Sequence, residues 1–201
     1  MKTMIIAASQ RHPSQSRKVA DFVEKMILDE QFFDRTDLLD LGEHPLPLWD
    51  QGVWGNRPEW ESVLKPLRKR VREADAFVMV IPEWNGAATP AIKNFSLFFD
   101  EKDTGHKPVL LVSISSEVNG QYPVVDMMSF GRKNNKWIFI PDYVIIRFVH
   151  HYLNGGQSTG EQEAFLHDRL RYGLEELRRY ASVLRRFRES WTFDERFKYA
   201  P

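Results

Sequence analysis

"AFVMVIPEWNGAATPAIKNF", residues Ala76–Phe95, decides how the rest of the chain is read. Its first six residues are apolar at every position rather than at alternate ones. That is the pattern of a strand covered on both faces, as in a parallel sheet with helices on each side. The strand ends at Pro82 in a rigid polar corner, Pro-Glu-Trp-Asn-Gly, and the chain then restarts as a helix, with Thr89 the expected N-cap and Pro90 at its first position. In open parallel sheets ligands lie in the crevice beyond the carboxyl ends of the strands. The corner is therefore a place to look for function as well as a boundary.

The same alternation of strand-length and helix-length patterns extends in both directions. "MIIAAS" (Met4–Ser9) is a short apolar run, followed by Val19, Phe22, Val23, Met26 and Ile27 at helical spacing. "TDLLDL" (Thr36–Leu41) suits a second strand. Trp60, Val63, Leu64, Leu67, Val71 and Ala74 mark a second helix, which Pro66 is expected to kink or split. "VLLVSI" (Val109–Ile114) is a further central strand, a helix begins near Tyr122, and "WIFI" (Trp137–Ile140) is a fifth strand. Leu166, Leu170, Leu174, Leu177, Ala181 and Leu184 form the stripe of a C-terminal helix over about residues 160–190, with a capping box from Thr159 to Gln162. The sum is one doubly wound α/β domain over residues 1–201, a five-stranded parallel sheet with helices on both faces. The Pro- and Trp-rich stretch Gly42–Trp60 is its longest irregular segment, and long loops in compact domains are usually functional or interfacial.

Composition narrows the function classes. Twenty-eight basic and 28 acidic residues give zero net charge, so no general field draws the chain to nucleic acid or to an anionic membrane. There is no cysteine, which excludes disulfides, a thiolate nucleophile and cysteine-ligated metal, and suits a reducing cytoplasm. No run reaches the ~20 apolar residues of a membrane span, and the N-terminus has no export-signal pattern. His150 and His151 are adjacent, and no H-E-x-x-H spacing occurs, so no metal is expected. The Arg-rich C-terminal stretch balances its charge through an expected Arg171, Glu175, Arg179 ladder with Glu176, and reads as a solvated helix face.

The loop after the first strand, "SQRHPSQSR", sets Ser9, Arg11, Ser14 and Ser16 just before a helix. Hydroxyls, backbone N–H groups at a helix N-terminus and a guanidinium fork suit a phosphate. Neither G-x-G-x-x-G nor G-x-x-x-x-G-K-[ST] is present, so a monophosphate fits better than a dinucleotide or a nucleoside triphosphate. The plainer alternative is that Ser14 or Ser16 only caps the helix and Arg11 is a solvated loop charge.

Three segments together, "SQRHPSQS", "PEWNGAATPAIKN" and "GHKPVLLVSIS", resemble the NAD(P)H-dependent FMN reductase family of flavodoxin-like proteins. That family shows a G-S-x-R-x-x-S loop, a P-E-Y-N-G/H-x-x-P-x-x-L-K-N loop and a G-K-P lead into a strand. The resemblance runs from Met4 to about Tyr180. The middle segment is the most specific, with Pro82, Glu83, Asn85, Gly86, Pro90, Lys93 and Asn94 at family positions. Ala8 replaces the family's first glycine, Trp84 its tyrosine, Ile92 its leucine and Leu97 a common aspartate. The third loop, "SISSEVNGQYP", lacks the usual Gly-Gly.

The resemblance implies a flavodoxin-like fold and an oxidoreductase that passes hydride from NAD(P)H through bound FMN to a small acceptor such as free flavin, a quinone or an azo compound. It implies cofactor contacts from Ser9, Arg11, Ser14, Gln15 and Ser16, from Pro82, Glu83, Trp84, Asn85 and Gly86, and from Ser115 and Ser116, with no catalytic acid or base. Trp84 would offer a flat face to the isoalloxazine and Gly86 a left-handed or close backbone, while Lys93 and Asn94 would serve structure or an interface. A homodimer or homotetramer is implied, built on Trp49, Val53, Trp54 and Trp60 with Phe95, Phe98 and Phe99, the phenylalanines fitting a monomer core equally well. The alternative functional class is a flavodoxin-like electron carrier that holds FMN without using nicotinamide. Neutral net charge weighs against it.

Overall fold

The computed structural model describes residues 1–55, 57–130, 133–155 and 160–197. Five parallel strands, β1 (Lys2–Ala7), β2 (Arg35–Asp40), β3 (Ala76–Pro82), β4 (Pro108–Ile114) and β5 (Ile138–Ile146), form one sheet in the order β2-β1-β3-β4-β5. The helices are α1 (Gln15–Asp29), α2 (Pro58–Glu73), α3 (Pro90–Ser96), α4 (Glu101–Thr104), α5 (Tyr122–Phe130) and α6 (Glu161–Ser190). This strand order is the flavodoxin-like one, and its switch point lies between β1 and β3.

Alternation along the strands divides the core into two layers. Met4, Ile6, Phe77, Met79, Ile81, Val109 and Leu111 face α2, α3 and α5. Ile5, Ala7, Val78, Val80, Leu110, Val112 and Ile114 face α1 and α6. Both sets are fully or almost fully buried, which is why the central strands read as continuous apolar runs. Gly173 lets α6 lie close on the sheet, since a methyl group there would stand 3.3 Å from the Leu110 side chain.

The expectations for individual elements hold in outline and fail in informative places. Thr89 is the N-cap residue of α3, but its hydroxyl donates to the Ala8 carbonyl (2.6 Å) rather than capping the helix, and so ties β1 to the β3 corner. Pro66 does not split α2. The helix runs unbroken through it with the ring on the solvent face, while Trp60, Leu64, Leu67 and Val71 anchor the opposite side. The long irregular stretch is shorter than expected, because residues Gln51–Trp54 form a 3-10 turn and α2 begins at Pro58. β5 continues past Ile140 because Pro141, which has no N–H for the ladder, sits in an irregularity on this edge strand.

α6 begins at Glu161, and the expected capping residue Thr159 lies outside the described residues. On that helix Glu175 pairs with Arg178 and Arg179, both at 2.7 Å, and these guanidinium groups pull its carboxyl down to about 2. Arg171 does not join the ladder; it reaches Glu30, the C-cap residue of α1, and Asp168 instead. Lys107, in the G-H-K-P segment, donates to the carbonyls of Val71 and Arg72 (both 2.8 Å), closing the end of α2, and burial pushes its pKa down to about 7. Phe95, Phe98 and Phe99 belong to the monomer's own core, as do Trp60 and Val53. No helix among the described residues is long and apolar enough to cross a membrane.

Candidate functional site

Register brings the ends of three strands to one rim. Ala7 pairs with Val80, Ile81 with Ser113 and Ser113 with Ile145, so the loops after β1, β3 and β4 leave the sheet side by side. They enclose an open cleft of about 340 Å3, within the size range of small-ligand sites. Nine of the twelve residues expected from sequence line it: Ser9, Arg11, Gln15, Ser16, Pro82, Glu83, Trp84, Ser115 and Ser116. Ser14, Asn85 and Gly86 do not.

The loop after β1 is shaped by short local bonds. The Ser9 hydroxyl accepts the Arg11 N–H (3.2 Å), and the Ser14 hydroxyl accepts the Arg17 N–H (3.1 Å), making Ser14 the N-cap of α1. Ser14 thus does what the plainer reading gave it. Ser16 is different. It is fully buried in the first turn of α1, and its hydroxyl has no hydrogen-bond partner among the described residues; the same holds for the Gln15 side-chain oxygen. The first turn carries no acidic residue, and the N–H groups of Gln15 and Ser16 find no acceptor among the described residues. Arg11 is exposed, and none of the described residues pairs with its guanidinium. A buried donor left unmatched costs about 1–3 kcal/mol, and a helix N-terminus with open N–H groups favours an anion. This end of the cleft therefore fits a phosphate.

The corner after β3 is a two-residue hairpin turn. Trp84 and Ala87 exchange both backbone hydrogen bonds at 3.0 Å, with Asn85 (φ +50°) and Gly86 (φ +68°) at the tip. Asn-Gly is the dipeptide such a turn prefers, because both central residues need positive φ. A Cβ on Gly86 would meet nothing within 4 Å, so the glycine serves conformation and not close approach. The Asn85 and Gly86 N–H groups point to no acceptor among the described residues. Half-buried Trp84 stands on the cleft side of this turn.

Side chains behind the corner hold it still. Asp126 of α5 accepts the Ala88 N–H (2.9 Å) and pairs with Lys93 (2.7 Å). Asn94 binds the Pro47 carbonyl (2.9 Å) and the Trp49 N–H (2.8 Å), fastening the long loop to α3. Both Lys93 and Asn94 are structural within this chain. Glu83 reaches to the third loop, where its carboxylate accepts the Gly120 N–H at 2.7 Å. Gly120 has φ +112°, and a Cβ there would stand 2.7 Å from the Ile145 methyl, so both backbone conformation and space require glycine at this position. The Ser115 hydroxyl is turned inward, bonded to the Glu117 N–H and carbonyl.

Sequence reasoning missed a fourth wall. His12 and Pro13 line the cleft beside Arg11, and Val149 and His150 close it from the segment after β5. No motif marks these positions. The bond from the Val149 N–H to the Ser115 carbonyl (3.0 Å) brings the last segment in, and pairing in the sheet could not have been read from composition.

Comparison with known proteins agrees with this geometry. The sequence model of a family described as NADPH-dependent FMN reductase matches residues 1–151. An NADPH azoreductase of Bacillus sp. (strain OY1-2) is 27% identical over 183 residues, spanning 91% of this chain and 94% of that protein. An FMN-dependent NADPH-azoreductase of Staphylococcus saprophyticus is 29% identical over 125 residues, 62% of this chain and 65% of the relative. Among solved structures, the flavoenzyme NAD(P)H:(acceptor) oxidoreductase FerB of Paracoccus denitrificans superposes with a TM-score of 0.65 over 92% of this chain and 97% of its own. Its sequence is 18% identical, and the likeness is one of fold.

Proposed function

The chain belongs to the NADPH-dependent FMN reductase family, and on that premise we propose that the cleft holds FMN, with its phosphate at the N-terminus of α1 and its ring against the Trp84 corner. The chain is an FMN-dependent NAD(P)H oxidoreductase, which excludes the electron-carrier alternative. The observation that carries the placement is the buried Ser16 hydroxyl and the Arg11 guanidinium, which line the same cleft and have no partner among the described residues. When bound, FMN supplies the hydride chemistry, accepting from the nicotinamide and delivering to a second substrate.

The chain's own residues bind and orient. Arg11, Ser16 and the Gln15 and Ser16 N–H groups hold the dianion, with Ser9 and Ser14 shaping the loop. Trp84 gives the ring an aromatic surface, and the N–H groups of Asn85 and Gly86, without an acceptor among the described residues, sit at the tip of a turn closed by two backbone hydrogen bonds. Pro82, Glu83, Ser115 and Ser116 form the floor and far side. All 201 residues act as one FMN-binding domain in the cytoplasm.

The acceptor we favour is an aromatic azo compound, because two relatives bear the azoreductase name. An azo dye mixed with the FMN-loaded protein should lose colour only when NADPH or NADH is present. A loaded protein that oxidises nicotinamide with a quinone but leaves the dye coloured would refute the azo assignment.

We also propose a homodimer or homotetramer. Trp54 (73% exposed) and Leu97 (50%) line one groove with Trp49, whose ring meets that of Trp54 edge-on, and Leu48 (82%) precedes Trp49 in the long loop. Exposed apolar groups so close together are what a subunit contact covers. Because Phe95, Phe98 and Phe99 are spent in the core, the interface would rest on the loop tryptophans and leucines. Light scattering should report at least a dimer at micromolar concentration, and a monomer would contradict it.

A further inference from the structure

We propose that Lys18 is a positioning residue for the cofactor cleft, acting through the segment Val149–Asn154, whose first two residues form the cleft's fourth wall; this rests on the placement of FMN given above. Lys18 lies on α1, one turn beyond the cap residue Ser14. Its ammonium donates to the Val149 carbonyl (2.7 Å), the Tyr152 carbonyl (2.8 Å) and the Asn154 side-chain oxygen (2.8 Å). An ammonium has three donors, and all three are spent on this one segment. Asn154 in turn donates to the His150 carbonyl (3.2 Å), so a chain of bonds runs from Lys18 to the backbone of the residue that lines the cleft.

The segment needs such fastening. Residues Val149–His151 make a single 3-10 turn, flanked by Phe148 at φ +50° and Leu153 at φ +57°, conformations that are costly for residues with side chains. From the other side α6 contributes Glu163, which accepts the Leu153 N–H at 3.0 Å. The wall is thus held between a cation of α1 and an anion of α6. The same helix α1 that offers its N-terminus to the phosphate also fixes the opposing wall, so the two sides of the cleft cannot drift independently.

The test is FMN titration, followed by flavin fluorescence, of wild type, Lys18→Met, His150→Ala and the double variant. Lys18→Met should weaken binding about tenfold, as expected for losing hydrogen bonds from a charged group, and His150→Ala should weaken it less. The double variant should bind no more weakly than Lys18→Met alone, because the wall that carries His150 is already displaced. Asn154→Ala, which removes an exposed link and leaves the core intact, should reproduce part of the loss. Unchanged affinity in either single variant, or two losses that simply add, overturns the proposal. Wild type that fails to bind FMN defeats the functional reading and this role with it, whereas wild-type binding matched by Lys18→Met defeats this role alone.

Discussion

Replacing Arg11 and Ser16 together by alanine is expected to weaken FMN binding by about a hundredfold or more while leaving the affinity for riboflavin, which lacks the phosphate, unchanged. Hydrogen bonds to a charged group are worth about 1.5–3 kcal/mol each, and every 1.4 kcal/mol is about tenfold in affinity. Arg11 has no competing partner among the described residues, so its charge is fully available. Ser16 is fully buried with its hydroxyl unmatched. Its removal costs the folded apoprotein little, because no internal bond is lost. Calorimetric titration with both ligands reads the difference. Equal losses for FMN and riboflavin would move the phosphate away from α1.

Gly120→Ala is expected to destabilise the fold by about 2–4 kcal/mol and to open the third loop. Two costs combine. The φ of +112° is one that L-residues rarely adopt, and the added methyl would stand 2.7 Å from the side chain of Ile145, whose backbone is held in β5 opposite Ser113 of β4. Relief by backbone movement would stretch the 2.7 Å bond from the Gly120 N–H to Glu83, which links the third loop to the β3 corner. Gly86→Ala is the control. Its φ of +68° carries the strain of a left-handed residue, but nothing stands within 4 Å, so about 1 kcal/mol is expected. Urea unfolding of both variants decides, and a Gly120→Ala protein no less stable than Gly86→Ala would remove the steric argument.

The central architecture was legible because burial on both faces leaves a mark in the sequence. β3 and β4 have no polar face, so "AFVMVI" and "VLLVSI" could be little else, and the leucines of α6, with Ala181, recur in steps of three and four residues from Leu166 to Leu184. Three of the site's walls were legible for the same reason, since each follows directly on such a run. What was misread depends on context. Pro66 looks like a helix breaker by its local chemistry, yet four docked apolar residues on the other side of α2 outweigh one missing bond. Arg171 finds a partner 141 residues away at the C-cap of α1, where sequence offered one four residues along. Phe95, Phe98 and Phe99 could equally have faced a partner, and only the position of α3 on the sheet places them in the core.

The fourth wall was illegible for a different reason. Val149 and His150 follow the edge strand β5, whose apolar run is broken by Pro141 and Asp142, and no motif flags them. The adjacent histidines lack the spacing of a metal site, and nothing else in the sequence marks them. Their bearing on the cleft comes from the left-handed Phe148 and from Lys18, which is an unremarked lysine on a helix until its three acceptors are seen.

Visible absorption of the FMN-reconstituted protein under anaerobic NADPH is the most direct measurement. The protein should retain FMN through gel filtration, its oxidised flavin absorption should bleach when NADPH or NADH is added, and the absorption should return when an azo or quinone acceptor follows. Protein that emerges without flavin, or whose bound flavin absorption neither NADPH nor NADH alters, would contradict this function.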